Sequence, residues 1–214
     1  MNHSLHHTIE QAPTIDPQRV LQSVCVYCGA SPGILDAYRQ GAQALAQTLV
    51  KRNIRLVFGG GHVGLMGIIA DAVMQAGGTA IGVIPQALVD RELAHHTLTE
   101  LHIVANMHER KKMMADLSDG FIAMPGGIGT FEELFETWTW SQLDFHNKPL
   151  GLFNIAGFYD PLLNFLDNTV AQGFLKPAHR DLLKVEQDPV RLLDRLANLS
   201  HADDAAWLKG QSQF

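Results

Sequence analysis

No run in this sequence comes near the roughly 20 consecutive apolar residues of a membrane span. The opening MNHSLHHTIEQAPTIDPQ holds no apolar core of a secretory signal. A basic excess is missing too: 16 Lys and Arg stand against 22 Asp and Glu, a net charge of −6, which argues against a non-specific nucleic-acid binder. Cysteine is scarce, and its two residues, Cys25 and Cys28, form a C-x-x-C inside SVCVYCG. That stretch reads as a strand, where residues three apart point to opposite faces. A redox pair belongs at a helix N-terminus and a zinc site needs a second ligand pair, so neither is expected here. The histidines show no H-E-x-x-H spacing, and none of His95, His96, His102 and His108 is assigned to a metal. Linkers, low-complexity tracts and repeats are also lacking. Together these absences predict a soluble cytoplasmic protein with one globular domain over residues 19–199, a disordered segment at 1–18 and a tail at 200–214 that frays.

What is present is alternation. Short apolar runs at Ser23–Tyr27, Ile54–Phe58, Thr79–Ile84, Thr97–Val104, Gly120–Met124 and Pro149–Phe153 read as strands. Helical periods fall between and after them, at Leu35–Arg52, Gly64–Ala76, Met107–Leu117, Thr130–Leu143, Tyr159–Gln172 and Pro189–Leu199. Apolar runs joined by amphipathic helices predict βαβ units and an α/β fold: a single Rossmann-like, doubly wound parallel sheet. Ligands of such sheets bind beyond the carboxyl ends of the strands. The turns after the first five strands, CGASPG, GGGHVGLMG, IPQALVDREL, NMHERKK and PGGIGTFEE, therefore share one rim.

Two of these turns are rich in glycine. GGGHVG, Gly59 to Gly64, matches G-x-G-x-x-G, but the strand that should end on a ribose-binding acid ends Gly82, Val83, Ile84, Pro85. The fingerprint of a dinucleotide site is thus incomplete, and tight helix–strand packing explains the glycines as well. PGGIGT lacks the Lys of a Walker A loop. Its Gly127, Gly129 and Thr130 offer bare amides, a hydroxyl and a helix dipole, which suits one phosphate without a metal. A plain capping box, with Thr130 as N-cap and Glu133 three residues on, fits the same letters. NMHERKK favours the anion reading. Arg110, Lys111 and Lys112 open a helix, where the macrodipole disfavours cations, so carboxylates or a phosphate should lie close by. Trp138 and Trp140 belong to the helix after the fifth strand, as core or interface.

MHERK combined with PGGIGTFEE, 23 positions apart from Arg110 to Glu133, resembles the Lonely guy (LOG) family of cytokinin riboside 5′-monophosphate phosphoribohydrolases, long mislabelled lysine decarboxylases. The family pattern P-G-G-x-G-T-x-x-E is matched from Pro125 to Glu133, with Ile128 at its variable position; CGASPG, GGGHVGLMG, GVIP and HNKPLGLFN are similar to other family segments. The resemblance spans about Arg19 to Leu199. It implies a homodimer that cleaves the N-glycosidic bond of a nucleoside 5′-monophosphate, AMP or a prenylated AMP, with no metal or cofactor. By the same resemblance Arg110 and Glu133 are the essential pair, and Glu92, Lys111, Gly127, Ile128, Gly129, Thr130 and Thr139 bind substrate. Ser31, Gly60 and Gly61 are further candidates on the rim.

On this reading the 5′-phosphate docks on the amides of Gly129 and Thr130 and Glu133 faces the anomeric region. There it stabilises an oxocarbenium-like transition state, holds a ribose hydroxyl or orients water, three roles that stay open. Arg110 is expected to keep Glu133 ionised. The rivals are a non-catalytic nucleotide-binding module on the same fold, a pyridoxal-phosphate decarboxylase, which needs a Schiff-base lysine, and a dinucleotide oxidoreductase.

Overall fold

The computed structural model describes residues 21–91 and 93–198. The expectations for residues 1–18 and 200–214, and for Glu92, lie outside the described residues. The chain runs β1 (Ser23–Tyr27), α1 (Asp36–Lys51), β2 (Arg55–Phe58), α2 (Gly64–Gln75), β3 (Ala80–Pro85), α3 (Gln86–Val89), β4 (Glu100–Val104), α4 (Met107–Asp116), β5 (Gly120–Ala123), α5 (Ile128–Gln142), β6 (Leu150–Phe153), α6 (Asp160–Ala171), α7 (Pro177–Asp181) and β7 (Leu183–Glu186). A further helix, α8, occupies 189–198.

Among the described residues seven strands pair in parallel in the order β4-β3-β2-β1-β5-β6-β7. The winding reverses between β1 and β5, where Cys25 sits opposite Val57 on one side and Phe121 on the other. That is the switch point of a doubly wound sheet, and it opens a crevice at the strands' carboxyl ends.

Both faces of the sheet are covered, so the central strands are apolar throughout. Val24, Val26, Leu56, Phe58 and Ile122 meet α1, α2 and α8 through Leu45, Leu49, Ile69 and Leu196. Cys25, Tyr27, Val57, Ile81 and Phe121 meet α4, α5 and α6 through Met114, Leu134, Trp138 and Leu166. Cys25 and Cys28 belong to opposite layers, both free and buried, as strand geometry requires.

Some expectations change, and the short α3 carried no prediction. β7 and α7 occupy 177–186, which carried no predicted element; β7 is a four-residue edge strand of which only Leu183 is fully buried, so it leaves little apolar pattern. Helix α5 starts two residues before Thr130, with Gly127 as N-cap and no side-chain cap bond. Thr130 is therefore not a cap, the capping box with Glu133 does not form, and Glu133 sits in the second turn. A capping exchange of a related kind forms on α4 instead: the N-cap Asn106 accepts from the Glu109 amide at 2.9 Å, and the Glu109 carboxylate accepts from the amide of Ala105, one residue before the cap, at 3.0 Å.

Candidate active site

At the switch point an open cavity of about 770 Å³ is walled by the turns after β1, β2 and β5. Backbone bonds lock the turns together. The Gly29 amide donates to Pro125 O at 3.1 Å and the Leu65 amide to Gly29 O at 2.9 Å. Tyr159, fully buried, donates its hydroxyl to Met124 O at 2.6 Å and fixes the point where the chain leaves β5. Across the mouth, the segment after β3 is stitched to the β2 turn by His62 N to Leu93 O at 3.0 Å and His95 N to Gly60 O at 2.9 Å.

The first intrahelical bond of α5 runs from the Phe131 amide to Gly127 O. The amides of Ile128, Gly129 and Thr130 thus have no carbonyl one turn back, which makes the helix start attractive to an anion. The glycines here divide into two kinds. A Cβ on Gly126 would stand 2.1 Å from the Thr130 hydroxyl, so the chain itself fills that place. A Cβ on Gly127 or Gly129 would meet nothing within 4 Å. Neither residue has a positive φ. The chain's own packing and conformation do not demand glycine at 127 or 129, whereas a ligand approaching the amides would.

Glu133 lies one turn further along α5 and lines the same cavity. Arg110 Nη1 stands 3.4 Å from Glu133 Oε1, an ion pair with both side chains about nine-tenths buried. Burial pushes the Glu133 carboxyl up from 4.5 to about 7, and the Arg110 cation pulls it down less than burial raises it. This corrects the expectation that Arg110 keeps Glu133 ionised: desolvation outweighs the cation and raises the carboxyl above its ordinary value. The other two α4 cations are answered by protein. Lys111 Nζ lies 2.5 Å from Glu132 and 2.9 Å from Glu136, and Lys112 pairs with Asp116 at 2.5 Å. No phosphate is needed to explain them.

Of the predicted site residues, Ser31, Gly61, Arg110, Gly127, Ile128, Gly129, Thr130 and Glu133 line the cavity. Gly60, Lys111 and Thr139 do not. Thr139 is exposed and donates its hydroxyl to Phe135 O at 2.7 Å. Sequence reasoning missed the apolar walls: Met66, Leu88 and Leu93 on one side, Tyr38 and Phe158 in edge-to-face contact on the other. Phe158 had a usable signal, since it follows the carboxyl end of β6 as the rim rule requires; Tyr38, inside α1, had none. Among the described residues no lysine lines the cavity and no group of His, Cys, Asp and Glu is arranged to hold a metal.

Comparison with known proteins gives a consistent result. Residues 66–196 match the family model described as "Possible lysine decarboxylase". The chain is 45% identical over 195 residues to the probable cytokinin riboside 5′-monophosphate phosphoribohydrolase LOGL2 of Oryza sativa subsp. japonica, covering 89% of this chain and 80% of that protein. It is 48% identical over 168 residues to the cytokinin riboside 5′-monophosphate phosphoribohydrolase of Rhodococcoides fascians, covering 78% and 85%. Among solved structures, the molybdenum cofactor carrier protein of Chlamydomonas reinhardtii superposes with a TM-score of 0.64 at 19% identity, over 84% of this chain and 98% of that one. At that identity the likeness concerns the fold.

Proposed function

The chain belongs to the Lonely guy family of cytokinin riboside 5′-monophosphate phosphoribohydrolases, and we propose that it hydrolyses the N-glycosidic bond of a purine nucleoside 5′-monophosphate. The observation that carries this reading is the buried Arg110–Glu133 pair, in one cavity with the open start of α5. Gly129 and Glu133 are four residues apart on the helix, about 6 Å along its axis. That is the scale of a ribose 5-phosphate from phosphorus to anomeric carbon.

The 5′-phosphate sits on the amides of Ile128, Gly129 and Thr130, with the Ser31 turn opposite. The base lies between the apolar walls. As the C1′–N bond breaks, positive charge grows on the sugar and negative charge on the base. Ionised Glu133 faces the sugar, stabilises that charge and accepts a proton from the water that adds to C1′; the departing base takes a proton from solvent in the open cavity, and Glu133 returns its proton to solvent, so that one water is consumed in all. Arg110 aims the carboxylate and holds down its pKa. Charge placed where the transition state develops it contributes several kcal/mol in enzymes generally.

Glu92, Lys111 and Thr139 enter as residues that the family resemblance implies. Neither Lys111 nor Thr139 lines the cavity of a single chain; Lys111 is held by Glu132 and Glu136, and we assign the exposed Thr139 to a contact between two copies. Leu143 and Phe145, 54% and 75% exposed at the end of α5, would supply its apolar part. Molar mass in solution by light scattering tests the homodimer. A cytoplasmic location agrees with two free, buried thiols; among the described residues no helix is long and apolar enough to cross a membrane.

The test is incubation with AMP, isopentenyl-AMP, GMP and CMP, followed by chromatography of free bases. Release of adenine or isopentenyladenine, abolished in Glu133→Gln, supports the reading. Tight binding of these nucleotides with no base released would establish a nucleotide-binding module instead.

A further inference from the structure

The turn after β2, Gly59 to Gly64, has no dinucleotide partner, yet its first glycine is under a constraint unlike that of its neighbours. Gly60 and Gly64 have φ of +70° and +59°, where side chains are strained. Gly59 has no positive φ, so any residue could adopt its backbone. A Cβ there would nevertheless stand 1.8 Å from Arg110 Nη2 and 2.9 Å from Cζ, and the three nearest atoms all belong to Arg110. The guanidinium alone excludes a side chain at 59.

The same guanidinium is held by backbone. Arg110 starts from the N-terminal part of α4, which packs on β3, and reaches past the end of β3 to the turn after β2. On the way Nε donates to Val83 O at 3.1 Å and Nη2 to Gly59 O at 2.9 Å. Gly82 permits the crossing of the turn over β3: a Cβ there would lie 2.8 Å from Gly60 Cα. Two arms of the fork are thereby fixed on carbonyls that neither titrate nor change rotamer. Nη1 is left to face Glu133. A lysine has one point charge and could not make all three contacts.

We propose that Gly59 is a positioning residue for catalysis: its missing side chain and its carbonyl form the seat that aims Arg110 at Glu133. The proposal rests on the reading of Arg110 and Glu133 as the catalytic pair.

Four proteins test it: wild type, Gly59→Ala, Arg110→Ala and the double variant. Each is measured by urea unfolding and by kcat and KM for AMP across pH. Because the alanine methyl meets only the end of one side chain, Gly59→Ala should fold and lower kcat at least about 30-fold, with KM within about threefold, as for a lost transition-state contact. In the Arg110→Ala background the same substitution should change kcat less than about twofold, since there is no guanidinium left to displace. The acid limb of the Gly59→Ala pH profile should move upward, as Glu133 loses the cation that lowers its pKa. Near-normal kcat in Gly59→Ala, or losses that multiply in the double variant, would overturn the seat. The unfolding data judge it without turnover. A cost of Gly59→Ala that is smaller in the Arg110→Ala background supports the seat, and an equal cost contradicts it. Should wild type release no base while the unfolding costs are unequal, the functional reading fails and the seat stands.

Discussion

The two glycine-rich turns of this molecule look alike as letters and differ in what fills the space beside them. Around GGGHVG the space is taken by protein: Arg110 at Gly59, Ile84 and Leu101 at Gly60, the Ala30–Ser31 backbone at Gly64. Around PGGIGT only Gly126 is filled, and Gly127 and Gly129 face emptiness. Glycine serves internal assembly in the first turn; in the second it leaves the amides at the start of α5 uncovered, where the proposed phosphate docks. A glycine motif is read by asking what its absent side chain would strike, because the answer separates packing from binding.

The comparison can be broken at either turn. The largest effect is expected at Gly64, where alanine would carry a φ of +59° and place Cβ 2.2 Å from Ala30 C. Gly64→Ala should cost on the order of 3 kcal/mol or more in urea unfolding; a loss of activity with unchanged stability would place Gly64 in the binding turn's class instead. Next comes Glu133→Gln, which should keep the fold and cut kcat at least about a hundredfold. An unfolded variant with normal residual activity would return Glu133 to a structural role.

Glu133 also makes a pH prediction whose sign follows from burial. Its folded pKa, about 7, lies above its ordinary 4.5. The fold therefore favours the protonated acid, and stability that is complete below pH 4.5 should decline as pH rises through about 7. Glu133→Gln removes that slope and should gain on wild type by on the order of 1–3 kcal/mol between pH 5 and 8. Parallel urea titrations check it. Turnover should move oppositely, rising through about pH 7 as the carboxylate forms; a rate that falls there would make Glu133 an acid.

The smallest effects separate the turns most sharply. Gly129→Ala lies in the first turn of α5 and meets nothing within 4 Å. It should leave stability unchanged or raise it by about 0.5 kcal/mol, while KM for AMP rises about tenfold. Initial rates of adenine release across AMP concentrations, beside thermal unfolding, measure both. Loss of stability with unaltered KM would mean that this vacancy is not the phosphate site.

Much of the architecture was legible in the sequence because buried parallel strands are apolar on both faces, and VCVY, LVF and AIGVI advertise that. β7 was not legible: an edge strand of four residues needs little apolar pattern, and LKVE carries little. Arg110 stood out because a cation at a helix start opposes the macrodipole, and Glu133 because a carboxylate beside a candidate anion seat needs a partner. What could not be read was how the conflict is resolved. The acceptors that hold Arg110 are the carbonyls of Gly59 and Val83, and backbone acceptors leave no mark in side-chain letters. Glu132 and Glu136 took Lys111 for the same kind of reason: which carboxylate meets that cation depends on the α4–α5 packing, not on spacing within either segment. Lys112 and Asp116, four residues apart on α4, form the one pair that spacing alone could have given.

The central claim is that the start of α5 anchors a phosphate so that Glu133 meets the anomeric carbon. It is tested most directly by comparing AMP with adenosine, and isopentenyl-AMP with its nucleoside, in one assay of base release. The account predicts rapid release of free base and ribose 5-phosphate from the monophosphates and little or none from the nucleosides. Equal release from both, or none from any, would contradict it.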